Sequence, residues 1–310
     1  MGETVGTGNL VGPWQGIQDE IGRRIADHQD WISHNPRSTD LRQQPLNLLA
    51  DGDSWFDYPL GGPVPDLHSD VLAQLRRQLA SGSSILSLAH FGEAATDLLL
   101  GAKLARLETA LTDKANGGWD ALLFSGGGND LAGDQFYLWL RPYAEIAGDV
   151  TLGLNEKRLA KVLNDVQGAY KSLIALRNRL APGLPIFVHG YDFAWPSGKG
   201  APCGVGPWLR PSLTRQGWMD GDPTSALARG ARIIADMLSR FAVMLAALAA
   251  NPANNLVLIE TQALLDPQTE WANELHPTPD GFAKVAGLFA AALTTRFPGR
   301  PVLASQGLIA

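Results

Sequence analysis

The chain has 310 residues, 45% of them hydrophobic and 18% charged, and a formal net charge of -6. That balance belongs to a folded globular protein with ample core, while the acidic net charge argues against a nucleic-acid partner, which would select a basic face. The single cysteine, Cys203, excludes an internal disulfide and a cysteine-based metal cluster.

No apolar run is long enough to span a membrane; the longest, Phe241 to Ala250, reads as an Ala-rich core helix. The N-terminus, MGETVGTGNLVGPW, has neither a basic nor an apolar signal region, so a cytoplasmic location is expected. Met1-Gly2-Glu3 has the start of a myristoylation signal, but nothing basic supports it. Composition sets no oligomeric state.

Residues 1–43 read as an N-terminal helical extension: a Gly-rich start, an amphipathic helix around Gln15 to His28, then polar chain. Trp14 and Trp31 point to packing on the body. Leu46 to Ala50 is a short apolar run, the mark of a strand buried on both faces, and it stops in Asp51-Gly52-Asp53-Ser54. After a Gly/Pro loop, Gly61-Gly62-Pro63-Val64-Pro65, comes a helix from about Asp66 to Leu79. A second strand, Ser83 to Ala89, ends at His90-Phe91-Gly92, and one helix is predicted from Ala94 to Leu111.

The third strand, Trp119 to Phe124, ends in Ser125-Gly126-Gly127-Gly128-Asn129-Asp130. From Asn155 to Leu180, Leu159, Val162, Leu163, Val166, Tyr170, Leu173 and Ile174 repeat at the spacing of one buried helical stripe. Pro185 to His189 is a fourth strand and Leu256 to Glu260 a fifth, with a helix from Thr224 to Leu248 between them and a last helix after Pro279. Strands alternating with helices imply a doubly wound parallel α/β sheet of about five strands in one domain, residues 44–310. The stretch 191–222, rich in Gly, Pro and Trp, breaks the alternation and reads as a flap: a binding lid, a cover for apolar surface, or both.

In open α/β sheets the site forms beyond the carboxyl ends of the strands. Here those ends carry Ser54, Gly92, Asn129, and, past the fifth strand, His276. A hydroxyl, a Gly N–H, an Asn amide and a late His are the parts of an acyl-transfer site: serine attacks, histidine takes its proton, and N–H donors hold the oxyanion. The plainer reading of Ser54 is a helix N-cap. His90 and His189 read first as structural. His28, His34 and His68 have no metal-ligand spacing, and neither a metal nor another cofactor is called for. Trp55, Phe56 and Tyr58 would make either an acyl or aryl pocket or plain core. Gly126-Gly127-Gly128 lacks the Lys-Ser/Thr of a phosphate loop, and Phe56 stands where a G-x-S-x-G elbow needs Gly.

These blocks resemble those of the SGNH, or GDSL-type, hydrolases. Gly52-Asp53-Ser54-Trp55 is similar to the first block, with Trp55 where Leu is usual, and Gly92 to the second-block glycine. Gly127-Gly128-Asn129-Asp130 is similar to the third block, and Asn273-Glu274-Leu275-His276-Pro277 to the last, normally Asp-x-x-His-Pro. Order and spacing agree over residues 46–295. The resemblance implies a flavodoxin-like three-layer sandwich and hydrolysis of a small-molecule carboxylic ester through Ser54. His276 would be the base, and Ser54 N–H, Gly92 and Asn129 the oxyanion hole.

One residue departs from that pattern. Asn273 replaces the acid that fixes the imidazole tautomer, a change that can cost about 10⁴ in rate. Glu274, the nearest carboxylate in sequence, is the favoured substitute; Asp266, Asp192, or a Ser-His dyad with a backbone carbonyl are the others. Two rival readings stand beside esterase. Asp51-Gly52-Asp53 resembles the Asp-x-Asp site of haloacid-dehalogenase-like phosphatases, with Ser87 or Ser125 as hydroxyl, though no late acidic pair follows to hold Mg²⁺. The other is a non-catalytic acyl- or sugar-binding protein on the same scaffold.

Overall fold

The computed structural model describes residues 13–58 and 69–304. The Gly-rich start, the Gly61–Pro65 loop, His68 and the start of the helix expected from Asp66 lie outside them. Five strands form the sheet: β1 (Asn47–Gly52), β2 (Ser84–Ser87), β3 (Ala121–Ser125), β4 (Ile186–His189) and β5 (Leu256–Ile259). All neighbouring pairs are parallel, in the order β2-β1-β3-β4-β5. β1 and β3 are buried along their whole length, as strands covered by helices on both faces must be.

The helices are α1 (Pro13–His34), α2 (Val71–Gln78), α3 (Ala95–Leu98), α4 (Gly101–Thr112), α5 (Gly128–Leu131), α6 (Phe136–Trp139), α7 (Glu156–Leu180), α8 (Arg210–Arg215), α9 (Pro223–Ala249) and α10 (Pro279–Arg296). α2 and α10 pack on each other in one layer, while α7 packs on α4 and α9 in the other. Right-handed crossovers distribute them this way, because the chain runs from β1 outward to β2 and then back past β1 to β3. The fold is therefore a flavodoxin-like three-layer sandwich, and its switch in strand order lies between β1 and β3.

Two stretches differ from the sequence reading. The single helix expected over 94–111 is two, because Gly101 takes a left-handed φ of 53° that a continuing α-helix forbids. The 191–222 flap is not wholly irregular either, since α8 forms inside it. α1 lies on β2: Arg24 donates to Ala89 O at 3.0 Å, His28 Nδ1 pairs with Ser84 Oγ at 3.0 Å, and the His28 ring stacks on Trp119 at 5.1 Å. Among the described residues no helix is long and apolar enough to cross a membrane.

Candidate active site

β1 ends at the switch point, and its last residue sets the turn. A Cβ on Gly52 would collide with the backbone of Ser125 on β3, so only glycine lets the two strand ends close up. Asp53 N–H then donates to Ser125 O at 3.0 Å, and Ser54 follows at the rim of the sheet, 9% exposed. Its Oγ lies 2.7 Å from His276 Nε2. These two residues are 222 positions apart, and the turns that carry them are also joined by Trp55 Nε1, which donates to Leu275 O at 3.0 Å.

Asn273 orients the imidazole. Its Oδ1 is 3.0 Å from His276 Nδ1 and accepts the N–H groups of Leu275 and His276, each at 3.0 Å. Its Nδ2 donates to Tyr58 Oη at 2.9 Å. With two backbone N–H groups on the oxygen, the amide has one satisfied orientation. That orientation puts the proton on Nδ1 and leaves Nε2 to accept the Ser54 hydroxyl hydrogen. The Tyr58 ring stacks on the imidazole at 4.2 Å and Trp208 meets it edge-on at 5.6 Å. Burial pushes the His276 pKa down to about 3, so the ring is neutral at ordinary pH.

Glu274 does not reach His276, contrary to expectation. Its side chain is buried and both oxygens are filled by four backbone N–H groups of residues 198 and 208–210. Consecutive residues of this turn point to opposite sides, so the carboxylate nearest in sequence is directed away from the imidazole. Asp192 is likewise spent on the N–H groups of Phe193, Ala263, Leu264 and Leu265. Asp266 caps its own turn at Gln268 and Thr269.

The loop after β2 and the helix after β3 are clasped together. Asp130 accepts from Ala95 N at 2.7 Å, Thr96 Oγ1 at 2.7 Å and Thr96 N at 3.3 Å. Asn129 Nδ2 donates one hydrogen to Glu93 O at 2.9 Å, which leaves its second hydrogen over. His90 N–H on Gly52 O, at 3.0 Å, holds the start of the Gly92 loop beside the Ser54 turn. Among the described residues neither Ser54 N–H nor Gly92 N–H has an acceptor. The second Asn129 hydrogen likewise has no acceptor among the described residues.

Beneath the serine lies a chain of buried hydrogen bonds. Tyr191 N–H donates to His189 Nδ1 at 3.2 Å, which leaves the proton on Nε2, 2.9 Å from Ser125 Oγ. Ser125 Oγ donates to Asp53 Oδ1 at 2.7 Å, and Tyr191 Oη donates to Asp53 Oδ2 at 2.5 Å while accepting Gly128 N–H at 3.0 Å. His189 is therefore structural, held neutral by burial, and Tyr191 links the Asp53-Ser54 turn to α5.

This network also answers the phosphatase reading. Asp53 has three protein donors and Asp51 is 1% exposed, so neither carboxylate is free to attack a phosphate. His90 packs on Phe91. Tyr191 and Trp208 are not readable from sequence as site residues, since nothing in sequence sets Trp208 against His276; Tyr58 stands there only in an aromatic cluster offered as pocket or core, and Asp130 only as the last residue of the third block.

A narrow cleft of about 40 Å³ opens beside Ser54 and Asn129. Trp55, Leu131, Leu209, Ile234, Met237 and Leu275 give it an almost wholly apolar wall. No protein-family model and no curated protein matches the sequence.

Solved structures similar to the chain include the lipase Lip_vut3 from a goat rumen metagenome, at 15% identity over 80% of this chain and 97% of that one, with a TM-score of 0.48. An extracellular lipase from Streptomyces rimosus is 17% identical over 79% and 98%, TM-score 0.44. Phospholipase A1 from Streptomyces albidoflavus is 14% identical over 80% and 99%, TM-score 0.45.

Proposed function

We propose that this chain is a serine ester hydrolase of the SGNH type, with Ser54 as nucleophile and His276 as general base. The observation that carries the reading is the unbroken line from Ser54 Oγ to His276 Nε2, and from Nδ1 to Asn273 Oδ1, at 2.7 and 3.0 Å. Ser54 Oγ adds to the ester carbonyl carbon while its proton passes to Nε2. Negative charge that develops on the carbonyl oxygen is taken up by Ser54 N–H, Gly92 N–H and the free Asn129 hydrogen.

Collapse of the adduct breaks the bond to the alcohol oxygen, which leaves with the proton from Nε2. Water repeats the sequence on the acyl-Ser54 ester and restores the enzyme. The apolar cleft suits the acyl group, since burying methylenes there favours binding by about 0.8 kcal/mol each. The ester is thus a carboxylic ester of an apolar acyl chain.

The test is turnover of short-chain nitrophenyl esters together with labelling by a fluorophosphonate. Wild type should do both, and Ser54→Ala and His276→Ala should each lose activity by at least about 10³-fold. Undiminished turnover by Ser54→Ala would sink the assignment. Absence of turnover in the wild type would favour a binding protein on this scaffold.

A further inference from the structure

Glu274 is wholly buried, and its carboxylate is met by backbone donors alone among the described residues. Oε1 accepts from Gly198 N at 3.0 Å and Arg210 N at 3.1 Å, and Oε2 from Trp208 N and Leu209 N, both at 2.6 Å. Glu274 N–H also donates to Lys199 O at 3.3 Å. A buried carboxylate is tolerated only when donors fill its lone pairs, and here every donor comes from the flap. The donors belong to two stretches separated by the turn at residues 199–207. One side chain therefore ties both ends of that turn to the segment carrying His276 two residues later. Of the groups it seats, the Trp208 ring faces the imidazole at 5.6 Å and Leu209 lines the apolar cleft.

We infer that Glu274 is a positioning residue whose carboxylate holds the 198–210 segment closed over His276 and against the acyl cleft. The inference rests on Ser54 and His276 being the catalytic pair. It gives the buried acid a task that orienting the imidazole would not: keeping water from the base and completing the wall of the substrate pocket. The side chains packed around the imidazole, Ser54, Asn273, Tyr58 and Trp208, carry no charge, and burial is the cause of its pKa near 3. Opening the segment would admit water, stabilise the imidazolium and move the ring back toward the ordinary value of about 6.5.

The experiment is kcat/KM between pH 2.5 and 8, a range that includes the wild-type limb expected near 3, for nitrophenyl acetate and nitrophenyl hexanoate, with wild type, Glu274→Gln and Trp208→Ala. Glutamine keeps the shape but turns an amide –NH₂ toward one pair of N–H donors whichever way it lies. The acid limb should move up by about one pH unit or more in both variants. For Glu274→Gln, kcat/KM at pH 7.5 should fall about tenfold, with the hexanoate losing more than the acetate as Leu209 leaves the cleft wall. A substitution that only unfolds part of the sample lowers the amplitude and leaves the limb where it was. An unmoved limb in both variants, with an active wild type, overturns the inference and leaves the esterase reading standing. An inactive wild type removes both.

Discussion

At the scale of a residue, the substitution of an amide for an acid at 273 is decided by which end of the amide faces the histidine. An Asn that offers –NH₂ to Nδ1 holds the wrong tautomer and disables the base. Here two backbone N–H groups and Tyr58 Oη turn the oxygen toward the ring. What the amide lacks is charge, so it orients the imidazole without stabilising the imidazolium.

Asn273→Asp should therefore raise kcat and shift the acid limb of the pH–rate profile upward, since a carboxylate favours the protonated ring. A limb unmoved by this change would mean that the ring and residue 273 are not coupled. Asn273→Ala should cost about a hundredfold or more in kcat, and more than Glu274→Ala, the reverse of the order expected from sequence. Tyr58→Phe frees Nδ2 from its acceptor and should lower kcat without altering the cleft's preference among acyl chains. Steady-state kinetics on these four variants would check each outcome.

At the scale of elements, the site depends on loops being held to one another, and Asp130 is the clearest fastener. Its carboxylate satisfies the first N–H groups of α3, so it caps one element while seated on another. Asp130→Ala should loosen the Gly92 loop against Asn129 and lower kcat by about 10–100-fold, the size of losing an oxyanion donor's alignment. KM and the fluorophosphonate reactivity of Ser54 would separate that effect from general unfolding.

The strands are legible in the sequence because each is a short apolar run that stops in polar residues or glycine, and their parallel arrangement follows from alternation with helices. Ser54, Gly92, Asn129 and His276 stand out because parallel strands deliver their ends to one edge. The break at Gly101 and the helix α8 are not legible: each is set by what packs beside it and not by local periodicity. Glu274 misleads because nearness in sequence is not nearness in space. Side chains 273 and 274 leave the turn on opposite sides, one to the imidazole and one to the flap.

At the scale of the whole molecule, stability against pH reflects buried groups pulling in opposite directions. Burial raises the carboxyls of Asp51 to about 7 and of Asp53 and Asp70 to about 6, from 3.8. For these the native state holds protons that the unfolded chain has released. Their contribution is full below about pH 4 and is lost as pH rises through 6 to 7. His189 and His276, lowered from 6.5 to about 3, act in the opposite sense, and their contribution is lost as pH falls. The two sets offset one another over mildly acid pH, so the wild-type melting temperature should vary little there.

Removing one member exposes the balance, and Asp51 is the best choice. Its Oδ1 accepts Gly52 N–H at 2.9 Å, a bond that an Asn oxygen can keep, while its Oδ2 is buried without a partner among the described residues. Asp51→Asn should leave stability near wild type at pH 4.5, where the acid is already protonated. By pH 8 it should gain roughly 2–4 kcal/mol, since each tenfold change in proton affinity is worth about 1.4 kcal/mol, or several degrees in Tm. Thermal unfolding of both proteins at the two pH values measures it. A difference in Tm that does not grow with pH would show that the Asp51 carboxylate is accommodated in its charged form.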